Sequence, residues 1–324
     1  MVAFPTETVY GLGANALSAR AVGSIFAAKG RPSWDPLIVH LPDPLLVRNF
    51  VQLDAELEQR VAQLSTSFWP GPLTLLLPRT SAIPDEVTAG RAKVGVRIPA
   101  HPVALALLRA AGTPIAAPSA NRFSHISPTT AQHVLDDLDG RIDAVLDGGP
   151  TAVGVESTVL DPQPTPMLIY RAGAITAGQL SAATGIAAEH YLPNTATDAE
   201  PAALPSPGVG IRHYAPDVHL VLSGPDLASL QVEVRRAATG AASVGVLLPR
   251  DWQLGDTSGL TVQPWGEWND SESLAAELFA ALRALESCGV ATIVCPLPTP
   301  GGLGDALRDR LMKAARPREA KNTA

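Results

Sequence analysis

Apolar residues recur along this chain at two spacings, and the switches between them divide it into short alternating elements. Val22, Ile25 and Phe26 fall three and four apart, one face of a helix, and Ser18 stands where a hydroxyl can cap the first turn. Gly30 follows just past the helix end, where a positive φ is common. Residues 37–41, LIVHL, are an apolar run too short for a helix and read as a buried strand interrupted by His40. A second helix starts at Asp54 with Leu57, Val61 and Leu64 on one face, and Pro70, Gly71 and Pro72 then turn the chain into a strand over 73–77. Alternation over 94–98 puts Val94, Val96 and Ile98 on one face and Lys93, Gly95 and Arg97 on the other, where the glycine leaves room for a ligand. Strands are also predicted over 2–4, 115–117, 144–146, 156–160 and 167–171, with helices over 102–111 and from a Ser127-Pro128 cap to 138. Residues 5–16 read as a loop of hydroxyls and small side chains.

From 192 to 216 the periodicity stops and Pro, Ala, Asn, Thr and Gly dominate, as in a linker. Strand and helix patterns then alternate: strands over 218–222, 244–248 and 290–295, helices over 226–239, 271–287 and 305–315. The expectation is an α/β chain with an open, twisted mixed sheet over 1–191, a linker over 192–216 and a small doubly wound α/β domain over 217–324.

A chain of 324 residues is long enough for two cores. Its net charge of -7, shared as -3 before and -4 after the start of the linker, argues against a general nucleic-acid binder. Cys288 and Cys295 have no histidine near them and match no common zinc spacing. They read as thiols of a reducing compartment. No apolar run approaches the roughly 20 residues of a membrane span, so the expected location is the cytoplasm.

The chemistry concentrates around Lys29-Gly30-Arg31-Pro32. A glycine and a proline hold two cations on one short turn, an arrangement suited to phosphate or carboxylate oxygens. Lys93, Arg97 and Arg171 add three cations at strand ends or loops, with Thr6, Thr8, Ser119, Ser127 and Ser157 among the hydroxyls. Singly these are caps or surface charges; converging on one sheet edge they would make a site of triphosphate size. Gly11, Gly13 and Ala16 satisfy G-x-G-x-x-G/A, but six residues separate them from the first strand, so a dinucleotide loop is not expected. There is no P-loop motif, and no triad spacing makes Ser119 or Ser157 a nucleophile.

PTETVYGLGANA, KGRP followed by DPLIVH, VGVRIPAHP, APSAN, SPT, ESTV and YRAG occur in one order over residues 2–173, and together they resemble the YrdC family. SPGVGIRHYAP at 206–216, followed by a small domain ending in GLGDALRDRLMKAA, is similar to that family's longer members. The resemblance implies a YrdC-like first domain and the synthesis of threonylcarbamoyl-AMP and pyrophosphate from L-threonine, bicarbonate and ATP with Mg²⁺. The product would pass to a tRNA threonylcarbamoyl transferase complex, with room for a weak tRNA contact. Carried over by position, ATP would meet Lys29, Arg31, Asp35, Lys93, Ser119, Asn121, Ser127 and Arg171, with Tyr214 closing over it. Threonine would meet Thr8, His40, Arg97, Ala117 and Ser157. Lys29 and Arg31 would carry the catalytic charge. Asp35 and Lys93 depart from the family's usual Asn and Thr, and the added lysine is expected to offset the added acid. The start at Met1 is read as assigned too late, since family members carry a helix and strand residues ahead of VAFPTETVYG. Two other readings are a hydrogenase-maturation carbamoyltransferase, disfavoured by the absence of CxxC pairs, and an RNA-binding module without chemistry, which strong salt-sensitive RNA affinity would reveal.

Overall fold

A computed structural model describes residues 1–192, 213–240 and 243–317. The chain divides into two compact units, Met1–Phe123 with Ser127–Gly210, and Ser124–Ile126 with Ile211–Ala324. Most of the expected 192–216 linker lies outside the described residues.

In chain order the first unit contains β1 (Val2–Phe4), β2 (Gly11–Asn15), α1 (Ala19–Lys29), β3 (Ile38–His40), a 3-10 turn (Pro44–Asn49), α2 (Ala55–Phe68), β4 (Leu73–Pro78) and α3 (Asp85–Thr88). It continues with β5 (Lys93–Arg97), α4 (Pro102–Ala111), β6 (Ile115–Ala116), α5 (Ala131–Leu138), β7 (Ala144–Val145), β8 (Thr158–Asp161), β9 (Met167–Arg171), α6 (Ala177–Thr184) and β10 (Ala188–His190). Ten strands form the expected mixed sheet, in the order β10-β9-β8-β4-β5-β3-β6-β2-β1-β7.

Strand alternation gives this sheet two unlike faces. Val39, Leu73, Leu75, Leu77, Val94 and Val96 point into one large core with Val22 and Ile25 of α1, Leu57, Val61 and Leu64 of α2, Val134 of α5 and Leu180 of α6. Each such side chain contributes about 1.5–3 kcal/mol on burial. Their neighbours Ile38, His40, Thr74, Lys93 and Arg97 take the opposite face. Part of that face is covered by α4, whose Ala104 and Leu108 pack on Phe4, Ile115 and Ala117. The rest of it mixes the polar side chains of His40, Thr74 and Arg97 with the apolar ones of Ile38 and Leu76.

Two sequence readings are corrected. Residues 11–15 are not loop but strand β2, paired with β1 through Phe4↔Gly11 and Val2↔Gly13. A Cβ on Gly13 would lie 2.9 Å from both Ile115 Cγ2 and Phe4 Cε1, so this glycine serves close strand packing and not phosphate contact. Nor does Ser127-Pro128 cap a helix: α5 begins after Thr130, whose hydroxyl accepts from His133 N at 3.3 Å. The short elements α3, α6 and β10 carried too few periodic positions to be read.

The second unit holds β11 (His219–Ser223), α7 (Leu227–Gly240), β12 (Val244–Leu248), β13 (Leu260–Pro264), α8 (Ser271–Ser287), β14 (Thr292–Pro296) and α9 (Leu303–Ala314). Its four strands are all parallel, in the order β11-β14-β12-β13, as a small doubly wound domain requires. The sequence pattern missed β13, whose residues stay half-buried and do not alternate cleanly.

Candidate active site

Helix α1 is closed as its sequence demands. Ser18 Oγ accepts from Ala21 N at 3.3 Å, and Gly30 takes φ 62°, with its N–H turned back to Ala27 O and Phe26 O. This fixes Lys29 and Arg31 on either side of a rigid turn. Lys29 is buried, and its Nζ donates to Ser119 O at 2.6 Å, to Asn121 O, and to Asn121 Oδ1 at 3.4 Å. Burial, and then the nearby Arg31 charge, push its pKa well below the usual lysine range. The oxygens around Nζ nevertheless accept only, and they favour the ammonium. Arg31 donates from Nη2 to Pro36 O at 2.8 Å and from Nε to Asp35 O at 3.2 Å, and Nη2 lies 2.9 Å from Asp35 Oδ1. Asp35, fully buried, is thus balanced by Arg31.

A second group lies on the mixed face of the sheet. Parallel pairing of β3 with β5 sets His40 beside Arg97. Arg97 donates from Nη1 to Thr8 Oγ1 at 2.9 Å and from Nε to Gly71 O at 3.3 Å, while Nη2 sits 2.7 Å from Glu7 Oε1. His40 Nδ1 is 3.2 Å from Ile38 O, and burial, reinforced by the Arg97 charge, lowers its pKa to about 3. The imidazole is therefore neutral at neutral pH. Thr8 Oγ1 is 2.8 Å from Thr6 Oγ1, which itself donates to Val9 O at 2.6 Å, so this hydroxyl-rich loop is tied down.

Next along the sheet, β4 pairs antiparallel with β5, Leu75 opposite Val96, and Thr74 stands beside Leu75 on the face that carries Arg97. Thr74 Oγ1 lies 2.8 Å from Ser157 Oγ, and Arg171 reaches Ser157 twice, Nη2 to Oγ and Nε to the carbonyl, each at 3.0 Å. Ser127, fully buried, donates to Glu156 Oε1 at 2.5 Å. Ala117, also buried, donates its N–H to Ile38 O at 2.9 Å.

Several expectations change in this light. The five cations do not line one sheet edge, because Lys93 and Arg97 sit at opposite ends of the same strand. Lys93 does not offset Asp35; its Nζ is 2.5 Å from Asp161 Oδ2. Gly95 offers no room, since a Cβ there would meet Thr74 Cγ2 at 3.2 Å and Ile38 Cγ1 at 3.3 Å. Tyr214 belongs to the second unit, where its ring stacks on Phe279 at 5.9 Å and the Arg310 guanidinium lies 5.1 Å above it. Sequence reading passed over Glu7, Thr74, Glu156 and Asp161. Glu7 stands between two noted threonines and Glu156 beside the noted Ser157, so the available signal was that buried Arg97 and Ser127 needed acceptors. Among the described residues no group of three or more His, Cys, Asp or Glu could hold a metal ion.

A family model described as Sua5, YciO and YrdC, telomere recombination, matches residues 1–173, and one described as threonylcarbamoyl-AMP synthase, C-terminal domain, matches residues 174–316. A threonylcarbamoyl-AMP synthase of Bacillus subtilis is 42% identical over 316 residues, covering 97% of this chain and 89% of that protein. One of Pyrococcus abyssi is 39% identical, with 97% and 90% covered. The crystal structure of P. abyssi Sua5 complexed with L-threonine superposes with a TM-score of 0.86 at 38% identity, over 97% of this chain and 90% of that one. The likeness thus runs through both units and includes the sheet that carries His40 and Arg97 and the loop that carries Thr8: the chain belongs to the Sua5, YciO and YrdC family.

Proposed function

We propose that this chain is a threonylcarbamoyl-AMP synthase: an adenylyl transferase that joins L-threonine and bicarbonate to the AMP moiety of ATP and releases pyrophosphate. The observation that carries the reading is the buried group of Arg97, neutral His40 and Thr8, in a chain similar over nearly its whole length to a Sua5 solved with L-threonine. Arg97 suits the threonine carboxylate, which a guanidinium grips through two parallel N–H groups. An uncharged His40 does not repel the threonine ammonium, as an imidazolium would. Thr8, Ser157 and the backbone at Ala117 supply further polar contacts to the amino acid.

The chemistry follows by charge and atom balance. The threonine ammonium gives up a proton to solvent, and the free amine takes up bicarbonate as a carbamate with loss of water. A carbamate oxygen then bonds to the α-phosphorus, and the bond from phosphorus to the pyrophosphate oxygen breaks with its electron pair. Negative charge grows on the phosphate oxygens, and Lys29, Arg31 and Arg171 are the cations assigned to meet it. Lys29 and Arg31 are held on the Gly30 turn by carbonyl contacts, so little reorganisation is needed as that charge develops. Ser119, Asn121, Ser127, Asp35 and Lys93 complete the ATP assignment, and Tyr214 that of a closing residue. Mg²⁺ belongs in this reading to the ATP substrate. The product would pass, in the cytoplasm, to a transferase complex that modifies tRNA beside the anticodon; among the described residues no helix is long and apolar enough to cross a membrane.

The test is pyrophosphate release from Mg-ATP and bicarbonate, with and without L-threonine, for wild type and Arg31→Ala. Release that needs threonine and is abolished in the variant is expected. Threonine-independent release, or equal release by both proteins, would overturn the reading.

A further inference from the structure

The loop ahead of β2 carries an acid that the proposed reaction does not use. Glu7 is half-buried with its carboxylate aimed inward: Oε1 lies 2.7 Å from Arg97 Nη2, and Oε2 accepts from Ala100 N at 3.1 Å. Its backbone is fixed too, since Glu7 O accepts from Val153 N at 2.8 Å. The Glu7 to Arg97 contact is electrostatic and not a directed hydrogen bond, because both Glu7 Oε1 and Arg97 Nη2 are buried without a hydrogen-bond partner. The donor inventory of Arg97 makes this informative. Of five N–H groups, Nε donates to Gly71 O and Nη1 spends one on Thr8 Oγ1. One N–H on Nη1 and two on Nη2 remain. A carboxylate could take one from each, as a single fork along the Nη1 to Nη2 edge.

The geometry points to Glu7 as a positioning residue for amino-acid recognition. Anchored on Ala100 N, it holds the Arg97 plane so that this fork faces an incoming carboxylate. It also keeps the buried cation neutralised while the carboxylate is absent. This inference rests on the proposed function. Glutamine cannot replace it: with its oxygen toward Arg97, its NH₂ would face the Ala100 N–H, and the flipped amide would set NH₂ against the guanidinium.

The test measures binding of L-threonine, of L-threoninol, which lacks the carboxylate, and of ATP to the full chain by calorimetry, for wild type, Glu7→Gln and Glu7→Asp, with thermal melts as a folding control. Glu7→Gln is expected to weaken threonine by roughly tenfold or more and to leave threoninol and ATP within about twofold of wild type, given that a loss confined to the carboxylate contact leaves other contacts additive. Glu7→Asp, which keeps the charge but loses reach, should behave like Glu7→Gln. Wild-type threonine affinity in Glu7→Asp would show that charge alone suffices and overturn the positioning role. So would equal losses for threonine, threoninol and ATP in Glu7→Gln, which mark a general structural defect. Absence of threonine binding by wild type would instead overturn the proposed function itself.

Discussion

His40 shows how one buried side chain couples the site to pH. Its folded pKa of about 3 lies below the ordinary histidine value, so between those two values the unfolded chain binds a proton that the folded chain refuses. Stability from this residue is therefore complete above about pH 7 and falls as pH drops, by about 1.4 kcal/mol per unit below the unfolded pKa. Denaturation free energies at pH 6.5 and 5 should show wild type losing about 1.6 kcal/mol more than His40→Gln over that interval. Equal losses would mean that His40 is not held neutral. The cause is burial first and Arg97 second, and neither is visible in the string LIVHL. A histidine inside an apolar strand reads there as ordinary core.

Among the elements, α5 separates the two readings of the SPT segment. Thr130 accepts from His133 N at 3.3 Å, whereas the Ser127 hydroxyl is committed to Glu156 at 2.5 Å. Thr130→Ala should cost about 1 kcal/mol of stability through the lost cap and leave ATP affinity unchanged. Ser127→Ala should instead weaken ATP binding, since its hydroxyl is assigned there, without fraying α5. Chemical denaturation and nucleotide titration of both variants decide it; a Ser127→Ala protein with reduced α5 protection and normal ATP binding would restore the cap reading. Local rules placed the cap at Ser127 because Ser-Pro is a strong start signal. They could not see that Glu156, far along the chain, claims that hydroxyl first.

At the scale of the molecule, the second unit has its own aromatic centre. Tyr214 takes φ 62° and is buried, with His213 at 4.4 Å, Phe279 at 5.9 Å and Arg310 over the ring. These contacts are made by the Tyr214 ring. Tyr214→Ala should lower the stability of this unit by about 3–5 kcal/mol, whereas Tyr214→Phe should lower it by less than about 1 kcal/mol and change adenylate formation only modestly. Denaturant unfolding followed by tryptophan fluorescence, together with the pyrophosphate assay, separates the two effects; a Tyr214→Phe enzyme with no activity would assign the hydroxyl a direct role.

By itself the sequence determined which segments form the long helices and buried strands, where α1 stops, that both units are α/β, and which cations and hydroxyls to watch. These follow from apolar period, capping chemistry and glycine conformation, all of which act within a few residues. Only the tertiary structure decided how those side chains are partnered: Arg31 with Asp35, Lys93 with Asp161, Ser127 with Glu156, Arg97 with Glu7 and Thr8. It also turned the GLGAN segment into a strand and divided the polar residues among the Gly30 turn, the loop before β2 and one face of the sheet, instead of lining one edge. All but the first of these pairings join residues far apart in the chain. Charge and hydrogen-bond balance in a dry site is settled by whichever groups the sheet order brings together, and a local pattern does not encode that order.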